Sequence, residues 1–190
     1  MNTENSNVIL AEITAFADAA HGDQMRKYVP QRYIVHPIEV MEICRGYTDE
    51  LPVLAAALLH DVLEDTPVSP EAIERFLIQR MPSDQVKETL ELVTDLTDVF
   101  TKESYPSLNR RQRKDRENER LEKAHPKAQT IKYADIISNG IDITKHDRHF
   151  ARVYLREMDL LLSIMSAGDA QLYQRALDTV AECRQQLAKK

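Results

Sequence analysis

Seven apolar residues in succession, Val53-Leu54-Ala55-Ala56-Ala57-Leu58-Leu59, run straight into His60-Asp61-Val62-Leu63-Glu64-Asp65-Thr66. An unbroken run of good helix formers predicts a helix buried on nearly all sides, opened by Pro52 and continuing to Asp65. Its neighbours carry a narrower, 3.6-period stripe. Val8, Ile9, Ile13, Phe16, Ala17 and Ala20 place a first helix over about Ser6 to Ala20, ending near Gly22. The next thirteen residues, Asp23 to Val35, have no stripe and contain Pro30, so they read as a loop that carries Arg26, Lys27 and Arg32.

Proline then punctuates the chain. His36 precedes Pro37, which disfavours helical geometry at His36 and starts a second helix from Pro37 to about Tyr47. Ser69-Pro70 caps and opens a helix to about Arg80, and Pro82-Ser83 precedes another from about Asp84 to Leu96. Periodicity fails from Thr97 to Leu108, which predicts a longer loop. After His125-Pro126, Ala128 to about Thr144 places Ile131, Ala134, Ile137 and Ile141 on one stripe. His146 to Phe150 reads as a short connection, followed by amphipathic helices over about Ala151–Ala167 and Asp169–Leu187, split at Gly168. Their Leu, Met and Tyr stripes suit a core or the surface of a homo-oligomer.

Sustained alternation of apolar and polar residues is missing and only four glycines occur, so sheet-based classes lose support. The expectation is an all-α fold, a single-domain helical bundle over residues 1–190. The start, Met1 to Asn7, is polar and lacks Lys and Arg, unlike a signal peptide, and no apolar run approaches the roughly 18 residues of a membrane span. Cys44 and Cys183 stand far apart without a C-x-x-C motif, which argues against a disulfide framework or a zinc ribbon. A cytoplasmic location with no membrane partner follows as the expectation.

The net charge of −6 argues against nonspecific binding to nucleic acid. Residues 109–127 depart from that balance, with eight Lys/Arg against four acids, a local +4. Two readings stand: a solvated helix laced with i,i+4 ion pairs, or a basic rim that attracts a polyphosphate.

The chemistry concentrates at the end of the apolar helix. Burying His60, Asp61, Glu64 and Asp65 is costly unless each meets a partner, and one cation satisfies several together. On a continuous helix His60 and Glu64 share a face, with Asp61 and Asp65 on the neighbouring face about 100° round. His36 at a helix entry and Asp135 beside an apolar stripe add two further groups, with Lys132 and Asn139 on the same polar line as Asp135. Two imidazoles and two carboxylates suit a borderline divalent metal such as Mn, Fe or Zn better than calcium. From the residues alone, the alternative is four polar side chains that never meet. His146-Asp147, in the polar setting Lys145 to His149, is explained by solvation, and His21 at a helix end by the helix dipole.

Four segments in order, Tyr33-Ile34-Val35-His36-Pro37, Ala56 to Thr66, Val93-Thr94-Asp95-Leu96 and Ile131 to Asn139, resemble the hydrolase domain of the RelA/SpoT family. That family is a branch of the HD-domain metal-dependent phosphohydrolases, and the resemblance covers about Ala11 to Asp142. It implies a helical HD fold, Mn(II) held by His36, His60, Asp61 and Asp135, and Glu64 and Asp65 acting on the attacking water. It further implies that Arg26, Lys27 and Asn139 contact a nucleotide, and that the reaction removes pyrophosphate from the 3′ position of (p)ppGpp.

Two departures accompany the likeness. Asp95 stands where the large family members usually carry the lysine of Val-Thr-Lys-Leu, and Ser138-Asn139-Gly140-Ile141-Asp142 stands in place of His-Asn-Met-Arg-Thr. The alternatives they raise are an HD phosphohydrolase for another nucleotide and an inactive nucleotide-binding module. With no length left for a synthetase or regulatory domain, the expectation is a small stand-alone hydrolase.

Overall fold

A computed structural model describes residues 3–189, and these form ten helical segments with no strand; the expectations for Met1 and Asn2 lie outside the described residues. The only sheet-like feature among them is an isolated antiparallel bridge between Met25 and Arg32. No helix of the described residues is long and apolar enough to cross a membrane. The chain divides into two compact units, Met1–Thr97 and Asp98–Lys190.

In the first unit the helices are α1 (Thr3–His21), α2 (Val35–Arg45), α3 (Leu51–Leu59), α4 (Val62–Asp65), α5 (Pro70–Leu77) and α6 (Ser83–Leu96). Every residue of α3 is buried, and α1, α2 and α6 pack around it. That is what its uniform apolarity predicts. The burial of Leu58 and Leu59 is complete, so this helix is a rigid post under the residues that follow it. Helix α1 ends at Gly22, whose φ of +56° is the left-handed conformation that turns the chain out of a helix.

Two boundaries differ from expectation. Helix α2 starts before its proline, with His36 and Pro37 both in the first turn. Proline is tolerated there because the N–H it lacks has no intrahelical acceptor. The central helix does not run through to Asp65: it stops at Leu59 and resumes at Val62. Asp61, with φ −96° and ψ −6°, lies in the sparsely populated bridge region between the two pieces.

The second unit contains α7 (Arg110–Leu121), α8 (Pro126–His146), α9 (Arg148–Ile164) and α10 (Ala170–Ala188). Helix α8 is its spine, packed against α9 and α10. The expected connection from His146 to Phe150 shrinks to Asp147, whose side chain accepts from Phe150 N and so caps α9. The basic stretch is a capped helix whose charges are largely paired within the unit. Arg110 meets Glu157 at 2.8 Å, Lys114 meets Asp98 at 3.0 Å and Arg120 meets Glu117 at 2.8 Å, which favours the ion-paired reading over a free basic rim.

Gly168 lies between α9 and α10, past the actual end of α9 at Ile164, and its packing is tight. A Cβ built there would lie 2.6 Å from the Tyr133 ring and 2.8 Å from the backbone N of Thr130. Gly168→Ala should therefore cost about 1–3 kcal/mol, the usual penalty of overpacking, with thermal unfolding as the readout.

Candidate functional site

The break between α3 and α4 does chemical work. On an uninterrupted helix adjacent side chains diverge by about 100°, yet here His60 Nε2 and Asp61 Oδ2 stand 3.0 Å apart. His36 Nε2 reaches the same oxygen at 3.7 Å, and the two imidazoles meet edge to face with centroids 5.3 Å apart. Both histidines are buried. The Tyr33 hydroxyl donates to that Asp61 oxygen at 2.6 Å, which orients the carboxylate.

His60 is pre-set as a ligand. Its Nδ1 lies 2.8 Å from the Ala57 carbonyl, which can only accept, so Nδ1 carries the proton and Nε2 presents its lone pair. That lone pair faces a carboxylate oxygen, and two acceptors 3.0 Å apart need positive charge between or beside them. Either an imidazolium or a bound cation meets the need. A nitrogen and oxygen donor set arranged in this way fits a divalent metal, with Ala57 and Tyr33 as the outer groups that hold ligands in orientation.

Glu64 and Asp65 are exposed on α4, contrary to the expectation that they are buried with His60 and Asp61. The break explains this, because α4 leaves the apolar post after Val62 and carries its acids into solvent. Asp65 Oδ2 accepts from Gln24 Nε2 at 3.0 Å. Arg26 is not a solvated cation: its side chain is 7% exposed and pairs with Glu39 at 2.9 Å. Lys27 is exposed, with Nζ 4.9 Å from the centroid of the Tyr28 ring. The bridge between Met25 and Arg32 folds this loop back on itself, which fixes the backbone that carries both cations.

In the second unit, Asp135 is buried on α8. Lys132 donates to its Oδ2 at 2.8 Å and Asn139 to its Oδ1 at 2.6 Å, as the i−3 and i+4 spacings predicted. Burial opposes the Lys132 charge, but Asp135 and Asp98 outweigh it and hold the ammonium firmly protonated, its pKa raised. Burial also pushes the Tyr154 phenol up, and the Asp135 carboxylate adds to that shift. Tyr154 therefore stays a neutral hydroxyl at ordinary pH.

The sequence pattern singled out the candidate histidines and carboxylates, gave no role to Tyr33 or Gln24 and read His21 only as a helix-end residue. Tyr33 carried one usable signal, since a tyrosine three residues before a candidate ligand can place its hydroxyl near the same ion. His146, read as solvated, instead pairs with Asp142 at 3.0 Å on the exposed end of α8.

Comparison with known proteins places this geometry. The HD domain family model matches residues 33–140. Guanosine-3′,5′-bis(diphosphate) 3′-pyrophosphohydrolase MESH1 of Mus musculus is 34% identical over 140 residues, covering 72% of this chain and 70% of the relative. The Drosophila melanogaster protein of the same name is 35% identical over 139 residues, covering 70% of this chain and 68% of the relative. A solved structure described as a metazoan ortholog of SpoT that hydrolyzes ppGpp superposes with a TM-score of 0.75 at 29% identity, over 93% of this chain and 95% of that one. The chain belongs to the HD domain family, alongside the MESH1 guanosine-3′,5′-bis(diphosphate) 3′-pyrophosphohydrolases.

Proposed function

We propose that this protein is a metal-dependent hydrolase that releases pyrophosphate from the 3′ position of (p)ppGpp. The observation that carries the reading is the meeting of His36 and His60 on one oxygen of Asp61, an arrangement that asks for a cation. The names of the MESH1 relatives supply the reaction and the substrate. With ppGpp, water attacks the 3′-linked phosphorus, the bond to the ribose oxygen breaks, and GDP and pyrophosphate leave.

His36, His60, Asp61 and Asp135 would hold the metal, and the mixed imidazole and carboxylate donors support Mn(II) as its identity. Bound there, such an ion supplies acidification of water and compensation of phosphate charge. Asp65 or Glu64 takes the proton of the attacking water, both being accessible carboxylates on α4. Arg26 offers a planar guanidinium and Lys27 a compact ammonium to the nucleotide. Asn139 holds the Asp135 carboxylate and would contact the nucleotide. Because the family model runs from residue 33 to residue 140, it spans the boundary at Thr97 and supports reading the two units as one functional domain.

A different nucleotide is the second reading, favoured by one observation: Ile141, where the larger family members carry arginine, is an exposed apolar side chain. The test is a panel of nucleotides incubated with purified protein and Mn(II), Zn(II) or Mg(II), with products separated by chromatography. Equal amounts of GDP and pyrophosphate from ppGpp, greatest with Mn(II), are expected. Turnover confined to another nucleotide would reject the substrate, and activity undiminished by chelation would reject the metal.

Tyr33→Phe should weaken Mn(II) binding by about 10–100-fold, as loss of an outer orienting group does, while leaving the helical content intact. Calorimetric titration of the metal reads this directly.

A further inference from the structure

Between α1 and α2 the side chains of His21 and Gln24 make a connection to Asp65 that the metal ligands do not require. We propose that His21 and Gln24 are positioning residues that hold Asp65 in the orientation for proton transfer. The inference rests on the hydrolase reading above.

The chain of hydrogen bonds has one consistent direction. A carboxylate only accepts, so Gln24 presents its amide NH2 to Asp65 Oδ2, at 3.0 Å. Its carbonyl oxygen then faces His21 Nδ1 at 2.9 Å, which makes Nδ1 the protonated nitrogen of the imidazole. His21 is 7% exposed, and its Nε2 is buried with no hydrogen-bond partner among the described residues.

Gln24 is fixed from its backbone as well. Its N–H donates to the His21 carbonyl at 3.0 Å, and its carbonyl accepts from Tyr33 N at 2.9 Å. The turn that permits this begins at Gly22, in its left-handed conformation. The same imidazole lies against the Tyr33 ring, centroids 4.6 Å apart, and the Tyr33 hydroxyl donates to Asp61. One buried histidine thus braces two carboxylates: Asp61 through Tyr33 and Asp65 through Gln24. Asp65 is otherwise an exposed side chain on a one-turn helix, with free rotamers to lose.

The test measures kcat and KM for pyrophosphate release from ppGpp by the Mn(II)-loaded protein. Gln24→Leu and His21→Ala should each lower kcat about tenfold with KM within about twofold, the size of one hydrogen bond to a charged group. His21→Asn, whose amide nitrogen can stand where Nδ1 stood, should retain most of the rate. Asp65→Asn should cost about a hundredfold or more, and Gln24→Leu added to it should cost nothing further. Gln24 is part-exposed, so its variant keeps the test readable should a His21 variant fold poorly. Losses that multiply in the Gln24→Leu/Asp65→Asn double variant, or a His21→Asn protein as slow as His21→Ala, would overturn the brace and leave the hydrolase standing. Wild-type protein inert towards ppGpp would overturn the hydrolase reading itself, and the brace with it.

Discussion

Replacing Asp135 by asparagine is expected to lower ppGpp turnover about a thousandfold, the equivalent of about 4 kcal/mol of transition-state stabilisation. The substitution keeps the shape of the side chain and removes its charge. Lys132 then keeps an oxygen at 2.8 Å but loses the carboxylate that offsets its burial. A stability loss of about 1–3 kcal/mol should accompany the loss of rate, since a charged group is left with a weaker partner. Steady-state kinetics and thermal unfolding on the same preparation separate the two effects. If excess Mn(II) restored full rate at unchanged stability, Asp135 would be a contributor to metal affinity and no more; if neither rate nor metal binding changed, its assignment as a ligand would be wrong.

The second large effect lies beneath the site. Leu58 is fully buried in the last two residues of α3, directly before His60 and Asp61. Leu58→Ala removes three carbons from a close-packed position and should cost about 2–5 kcal/mol. At about 2–4 °C per kcal/mol for a chain of this size, the melting temperature should fall by about 5–15 °C. A shift under about 2 °C would mean that the helix can collapse into the space, and that α3 is a softer support than its burial indicates.

These two residues also mark what the sequence made legible. The uniform apolarity of Val53 to Leu59 could only describe a buried helix, and the i−3 and i+4 neighbours of Asp135 were readable from helical spacing alone. The break at His60-Asp61 was not readable. His-Asp-Val-Leu-Glu-Asp contains no glycine or proline, and nothing local forbids a continuous helix there. Long-range contacts set the bend: Tyr33, twenty-eight positions earlier, donates to Asp61, and His36 approaches the same oxygen.

For the same reason His21 was read as a helix-end charge. Its actual surroundings depend on Gly22 turning the chain so that Gln24 and Tyr33 come back over the imidazole, and no periodicity records that. The basic stretch shows the same dependence on distant contacts. Its sequence left an ion-paired helix and a phosphate-attracting rim both open, because the partners that take up Lys114 and Arg110, Asp98 and Glu157, are distant in sequence.

The departures from the larger family members motivate the nucleotide panel under the proposed function. Asp95 lies in the last turn of α6, and Asp142 pairs with His146 near the end of α8. Product analysis across nucleotides and ligand-site variants answer different questions: the first tests the substrate, the second the metal site.

The most direct test of the central claim is the rate of pyrophosphate release from ppGpp with added Mn(II), compared between the wild-type protein and a His60→Ala/Asp61→Ala variant. The account predicts steady release by the wild type and none above background by a variant that remains folded. Equal release by both proteins would contradict the assignment of the metal site, and no release by either, with ppGpp recovered intact, would contradict the proposed reaction.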